Sequence, residues 1–298
     1  MGARRSAMRE HTVSTPDGRT LRVREDGNPE GPVIFSLHGS PGSRLLYEPH
    51  VDDARRKGIR LLGYDRPGYG GSTRRPDRTV ADVAADVAAI ADALDVRRFG
   101  VWGHSGGGDP ALACAALLPE RVVAAACLAG TAPADAEGLD PYEGLGELNA
   151  DDLRLMHSDR AAWERKGREE VVQMRDATPV QVVEYLKTVL SEVDAGALTP
   201  PLAGFLSAQV KEGLRDGADG IIDDNLSEDR PWGFDPARIR VPLQIWQGRH
   251  DKFVPFQHGR WLVDHLPQAE PHLEPDEGHI SLYARRIPEV HSWILAKF

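Results

Sequence analysis

Short, mainly apolar runs recurring between helical patterns are the feature that most constrains this chain's fold. They cover residues 33–37, 59–64, 98–102, 122–128 and 241–247. Continuous apolar character without polar alternation marks a strand buried on both faces of a sheet. Helical patterns follow them, at residues 44–57, 79–94, 109–118 and 256–266, the first ended by Gly58. The stretch 79–94 is the clearest. Thr79 with Asp82 makes a capping-box-like start, and Val80, Val83, Val87, Ile90 and Leu94 recur on one face. Upstream, two short strands flank the turn Pro16-Asp17-Gly18. Downstream, a strand near 270–273 and a helix over 280–297 complete the series. Strands alternating with helices imply an α/β fold, a mostly parallel central sheet with helices on both faces.

The rhythm breaks between residues 131 and 232. There the chain is more polar, with helical patterns and no convincing strand. With 298 residues there is room for a core plus an inserted smaller unit. The expected organisation is a core formed by residues 1–130 and 233–298, with 131–232 as a helical cap over it.

Composition narrows the function. The net charge is −10, and no Lys/Arg-rich run could release counterions from a phosphate backbone, so nucleic acid is not expected as a partner. No segment has the 18 or so consecutive apolar residues of a membrane span. The N-terminus lacks an apolar h-region, and Met1-Gly2-Ala3-Arg4-Arg5-Ser6, though it formally fits a myristoylation pattern, is too short a signal to take as an anchor. A cytoplasmic protein is expected, in which the sequon Asn225-Leu226-Ser227 has no role. The two cysteines, Cys114 and Cys127, lie in apolar stretches and read as buried thiols. No zinc-type ligand spacing occurs, and neither metal nor organic cofactor is implied.

The chemistry concentrates where strands end. Gly103-His104-Ser105-Gly106-Gly107 fits G-x-S-x-G between an expected strand and an expected helix. A nucleophile on so tight a turn needs small neighbours two residues away, and gains an exposed hydroxyl beside a helix N-terminus. A serine hydroxyl needs a base. His279, in Gly278-His279-Ile280-Ser281, follows the last expected strand and is the best placed. His258, His265 and His291 fall in helical stretches, and His250 and His272 flank strands. Asp251, three residues after Gly248, is the expected acid, able to fix the tautomer of His279. Asp135 is a weaker alternative, and Asp65 precedes the serine. The oxyanion donors are expected to be the N–H groups of Gly106 and of Ser40, since Pro41 has none to offer. His38 is expected to pin its loop.

These segments resemble the α/β-hydrolase superfamily. The loops HGSPG, DRPGYGGS, GHSGGG and GRHDKFVP and the final GHISL occur in the family's order. The resemblance spans residues 20–130 and 240–298 and implies the α/β-hydrolase fold, a Ser105–His279–Asp251 triad and a variable cap that shapes the pocket. Serine at the nucleophile position argues against haloalkane dehalogenases and epoxide hydrolases, whose nucleophile is Asp. HGSPG is similar to the HGGPG of proline iminopeptidases, whereas GHSGG looks more like esterases and lactonases. Asp109 stands where many relatives carry an apolar residue or proline; it is expected to complement its helix dipole, the alternative being that it faces the pocket and disfavours an anionic intermediate. The leading expectation is hydrolysis of a small-molecule carboxylic ester or lactone. The rivals are an aminopeptidase, which would bind the substrate ammonium with cap carboxylates such as Glu143, Glu147, Asp151 or Asp152, and a ligand receptor on a hydrolase fold. Leu202, Phe205, Leu206, Tyr185, Leu186 and Trp232 could line the pocket or simply pack the cap. Nothing in the sequence sets the oligomeric state.

Overall fold

The apolar runs become the middle of one twisted sheet. The structure, a computed structural model, describes residues 8–298; the Met1–Ser6 pattern lies outside the described residues. Among the described residues the strands are β1 (Arg9–Ser14), β2 (Thr20–Gly27), β3 (Val33–Leu37), β4 (Arg60–Tyr64), β5 (Phe99–His104), β6 (Val122–Leu128), β7 (Leu243–Gly248) and β8 (Ala269–Glu274). They lie side by side in the order β1-β2-β4-β3-β5-β6-β7-β8. The hairpin strands β1 and β2 pair antiparallel, β2 joins β4 antiparallel, and every other pairing is parallel.

Helices cover both faces. Period-two alternation sends Phe35, Leu62, Phe99 and Val101 to the side covered by α2 (Asp82–Ala93), α3 (Gly108–Leu117) and a helix at Phe256–His265. Ile34, Leu61, Trp102 and Trp246 face α1 (Glu48–Lys57) and a C-terminal helix at His279–Leu295. Burial on both faces is what makes these strands read as mainly apolar runs.

Two helix starts differ from the sequence expectation. Asp82 Oδ2 accepts the Thr79 N–H at 2.8 Å, half of a capping box, but residues 79–81 form a turn and α2 starts only at Asp82. Residues 44–47 are not helical: the Arg44 N–H bonds Asp65 Oδ1 at 2.6 Å, and α1 opens at Glu48 with Pro49 in its first turn.

Between β6 and β7 the chain forms α4 (Glu147–Ser158), α5 (Arg160–Asp176), α6 (Pro179–Val189), α7 (Glu192–Ala197), α8 (Pro200–Gly213) and α9 (Asp219–Glu228). The two helices after β7 and β8 are α10 and α11 respectively. Leu190 and Leu202 of the inserted segment pack with Tyr47 and Ile280 of the core, and Phe205 and Tyr283 join them. No helix among the described residues is long and apolar enough to cross a membrane.

Candidate active site

The parallel strands end along one sheet edge, and the residues with chemical potential gather there. Ser105 follows β5 directly with φ +56°, a left-handed backbone that a side chain rarely adopts. Residues 105–107 make a tight turn into α3. A Cβ on Gly103 would overlap the carbonyl of Gly107, so strand and helix meet this closely only with glycine at 103. The loop after β3 lies against the serine: a Cβ on Gly39 would come 3.0 Å from Ser105 Cβ.

Asp251 and His279 are joined across neighbouring strand ends. His279 Nδ1–H donates to Asp251 Oδ2 at 2.8 Å, both residues being buried. Asp251 is itself fixed, its Oδ1 accepting the N–H groups of Phe253 and Val254 at 2.9 Å each. Burial alone would lower the His279 pKa, but the Asp251 carboxylate outweighs it and the net shift is upward. His104 sits with its ring centroid 4.5 Å from that of His279, and donates from Nε2 to the His279 carbonyl at 2.9 Å. Burial, then the neighbouring His279, hold His104 neutral. Among the described residues no hydrogen bond closes between Ser105 Oγ and the His279 ring. Active-site hydrogen bonds are often loose without substrate.

The other candidates lie elsewhere. Asp135 is exposed, and Asp65 is spent on Arg44 and Gly71. His291 bonds Asp53 and Trp102, His258 accepts the Ala132 N–H, and His265 bonds the Trp261 carbonyl. His38 pins its loop as expected: Nδ1 donates to the Gly39 carbonyl at 2.7 Å and Nε2 accepts the Arg66 N–H at 3.2 Å. Burial, with Arg66 nearby, lowers its pKa to about 3.

Ser40 and Gly106 are neighbours, since a Cβ on Gly106 would come 2.6 Å from Ser40 Oγ. A buried ionic network holds them. Arg66 donates from Nη1 to the Gly106 carbonyl, and from Nη2 to Ser40 Oγ at 3.0 Å and Asp224 Oδ2 at 2.6 Å. Asp224, on α9, also accepts from Ser40 Oγ, from Tyr69 OH at 2.7 Å and from Arg78 Nη2 at 2.7 Å. Burial opposes its ionisation, but the two guanidiniums prevail and its pKa falls. Glu228, one turn further along α9, brings Oε1 within 2.9 Å of where a Gly106 Cβ would stand. Burial, then Asp109 and Asp224, push its carboxyl pKa up.

Asp109 is a buried acid on α3. It does occupy the first turn of α3, yet it is fully buried, takes 2.5 Å from Thr131 Oγ1, and leaves Oδ1 without a partner. Burial raises its pKa to about 7, against the opposing hydrogen bonds from Thr131 and the charge of Arg66.

Sequence reasoning missed Arg66, Asp224 and Glu228 at this site. Arg66 was visible inside a family-like loop. The α9 carboxylates had no local signal, because their partners lie more than 100 residues away. The carboxylates of the inserted segment singled out from sequence have other surroundings: Glu143, Glu147 and Asp151 are exposed, and Asp152 pairs with Trp163 and Lys166. Leu202, Phe205, Leu206 and Leu186 gather with Phe253 and Tyr283, whose rings lie within about 5 Å of the His279 and His104 rings respectively. Tyr185 is half exposed, and Trp232 packs into the opposite core cluster. A surface groove of about 650 Å³ near Trp232, Phe234 and Trp261 includes none of the site residues.

A parallel-centred sheet with an elbow serine after β5 and a carboxylate–histidine pair after β7 and β8 defines the α/β-hydrolase fold. Residues 32–153 match the family model described as the alpha/beta hydrolase fold. The chain is 28% identical over 290 residues to a 2-hydroxy-6-oxononadienedioate/2-hydroxy-6-oxononatrienedioate hydrolase of Burkholderia vietnamiensis, covering 92% of this chain and 90% of that one. It is 28% identical over 249 residues to a bifunctional esterase/perhydrolase of Acinetobacter calcoaceticus, covering 82% and 83%. An esterase structure from Thermogutta terrifontis superposes with a TM-score of 0.69 at 18% identity over 97% of this chain and 99% of that one, a likeness of fold. The fold is that of the α/β hydrolases, and the family model together with these relatives supports a hydrolase of that superfamily.

Proposed function

We propose that this chain is a serine hydrolase of small-molecule carboxylic esters or lactones, with Ser105 as nucleophile, His279 as base and Asp251 as orienting acid. The observation that carries the reading is the convergence on one sheet edge of a serine at φ +56° and a histidine whose Nδ1–H is committed to a buried carboxylate at 2.8 Å. That commitment leaves His279 Nε2 unprotonated and available as base.

In the proposed cycle, Ser105 Oγ attacks the carbonyl carbon as its proton passes to His279 Nε2. The N–H groups of Gly106 and Ser40 receive the oxyanion. The tetrahedral intermediate collapses, and the imidazolium gives its proton to the departing alcohol oxygen. A water, deprotonated by the same histidine, then attacks the acyl-enzyme and releases the acid and Ser105. The inserted residues 131–232 act as a cap, with Leu202, Phe205 and Leu206 as apolar wall. The esterase/perhydrolase relative supports an ester substrate. The aminopeptidase alternative loses support from the cap carboxylates first considered for it, since three are exposed and Asp152 pairs with Trp163 and Lys166.

Hydrolysis of p-nitrophenyl acyl esters of increasing chain length, beside a Ser105→Ala control, tests this. Turnover that disappears in the control is expected. Turnover that survives it would assign the chemistry to another group.

A further inference from the structure

The inserted helices reach the base itself through one buried side chain. Asp194, on α7, is fully buried. Its Oδ2 accepts the N–H of His279 at 2.9 Å, and its Oδ1 accepts the N–H of Ser281 at 2.8 Å. Those are the first and third residues of α11, whose N–H groups have no partner within the helix. The usual source of such a cap is the residue just before the helix, but here that residue is Gly278, which has no side chain. Glycine is also required: a Cβ at 278 would come 2.6 Å from Asp194 Cγ. Ser191 Oγ donates to Asp194 Oδ2 at 3.1 Å and fixes the carboxylate from its own loop.

We infer that Asp194 is a positioning residue for the base, by which the inserted helices set the backbone of His279 and the field around its ring. This rests on the reading of His279 as the base. Two charge-assisted bonds to one helix terminus fix where the His279 backbone leaves β8's loop, and hence where Nε2 points. The acidic side chains at His279 are Asp251, bonded to its ring from the loop after β7, and Asp194, bonded to its backbone N–H from α7; the ring of His104, from the end of β5, packs on it, and Tyr283 of α11 packs against His104. Both carboxylates favour the imidazolium. A movement of the inserted helices that withdrew Asp194 would therefore loosen the base and lower its proton affinity together.

The test is Asp194→Asn, which keeps shape and one acceptor but removes the charge, beside Gly278→Ala, which leaves Asp194 in the sequence and displaces it. Each is assayed on the ester turned over by the wild type, across pH 5 to 9. The expected result is a kcat lower by about tenfold or more with KM changed far less, and an acid limb of kcat/KM moved to lower pH. A lower melting temperature with kcat and the acid limb unchanged would reduce Asp194 to a structural cap and overturn the inference. A wild-type enzyme that neither turns over esters nor is acylated at Ser105 would instead overturn the serine-hydrolase reading, so the two failures are distinguishable.

Discussion

Arg66 and Asp224 form a buried ion pair, 2.6 Å from Nη2 to Oδ2, that ties the loop after β4 to the inserted helix α9. Arg66 also bonds the Gly106 carbonyl and Ser40, so one guanidinium connects both expected oxyanion donors to the inserted segment. Removing one partner of a buried pair leaves the other charge uncompensated. Asp224→Ala, which strands both Arg66 and Arg78, is expected to cost about 3–5 kcal/mol in denaturant unfolding. A cost within that of an ordinary surface substitution would show that the network is solvated.

The Asp251–His279 pair sets a pH dependence with a definite sign. The His279 pKa is raised above its ordinary value of 6.5, because Asp251 outweighs burial. The neutral ring is the base, so kcat/KM should rise with pH through a limb above that value. The stabilisation from the pair is fully present below the unfolded histidine pKa and is lost as pH rises through the folded one. Asp251→Asn should therefore lower the melting temperature more at pH 6 than at pH 9. It should also reduce kcat about 10⁴-fold, as loss of the orienting carboxylate does in other triads. Calorimetry and a pH-rate profile check the two parts separately.

Asp109 carries the same sign, but from burial and not from a charged partner. Burial raises its pKa, and Glu228 is raised by burial with Asp109 next to it. A carboxyl held above its unfolded pKa contributes stability at low pH that is lost as pH rises through the folded pKa. Asp109→Asn should leave the melting temperature near that of the wild type at pH 5 and raise it at pH 9. A uniform loss across this range would mean that Asp109 is ionised in the fold.

Backbone strain at the elbow gives a fourth check. Ser105 holds φ +56°, where any residue with a Cβ is disfavoured. In an ordinary position glycine is less stable than alanine by up to about 1 kcal/mol. At 105 the order should invert, with Ser105→Gly at least as stable as Ser105→Ala in denaturant unfolding and both inactive.

What the sequence made legible was whatever repeats locally. β3 and β6 occupy the expected residues, and β4, β5 and β7 end within two residues of expectation, because burial on both faces leaves them mainly apolar. Ser105, Asp251 and His279 stood out because each follows a strand at a glycine. Asp194 and Asp224 did not. Each is an acidic residue on an inserted helix of ordinary polar composition, and its partners are 85 residues away at His279 and 158 away at Arg66. Asp109 was visible, but its desolvation depends on Thr131 and on α9, which no local pattern announces.

The central claim is that Ser105 is a nucleophile activated by His279. Incubation with a fluorophosphonate, followed by peptide mass mapping, tests it most directly. One adduct per chain is expected, on Ser105, formed far more slowly in His279→Ala and absent in Ser105→Ala. An unlabelled wild-type chain, or an adduct on another residue, would contradict it.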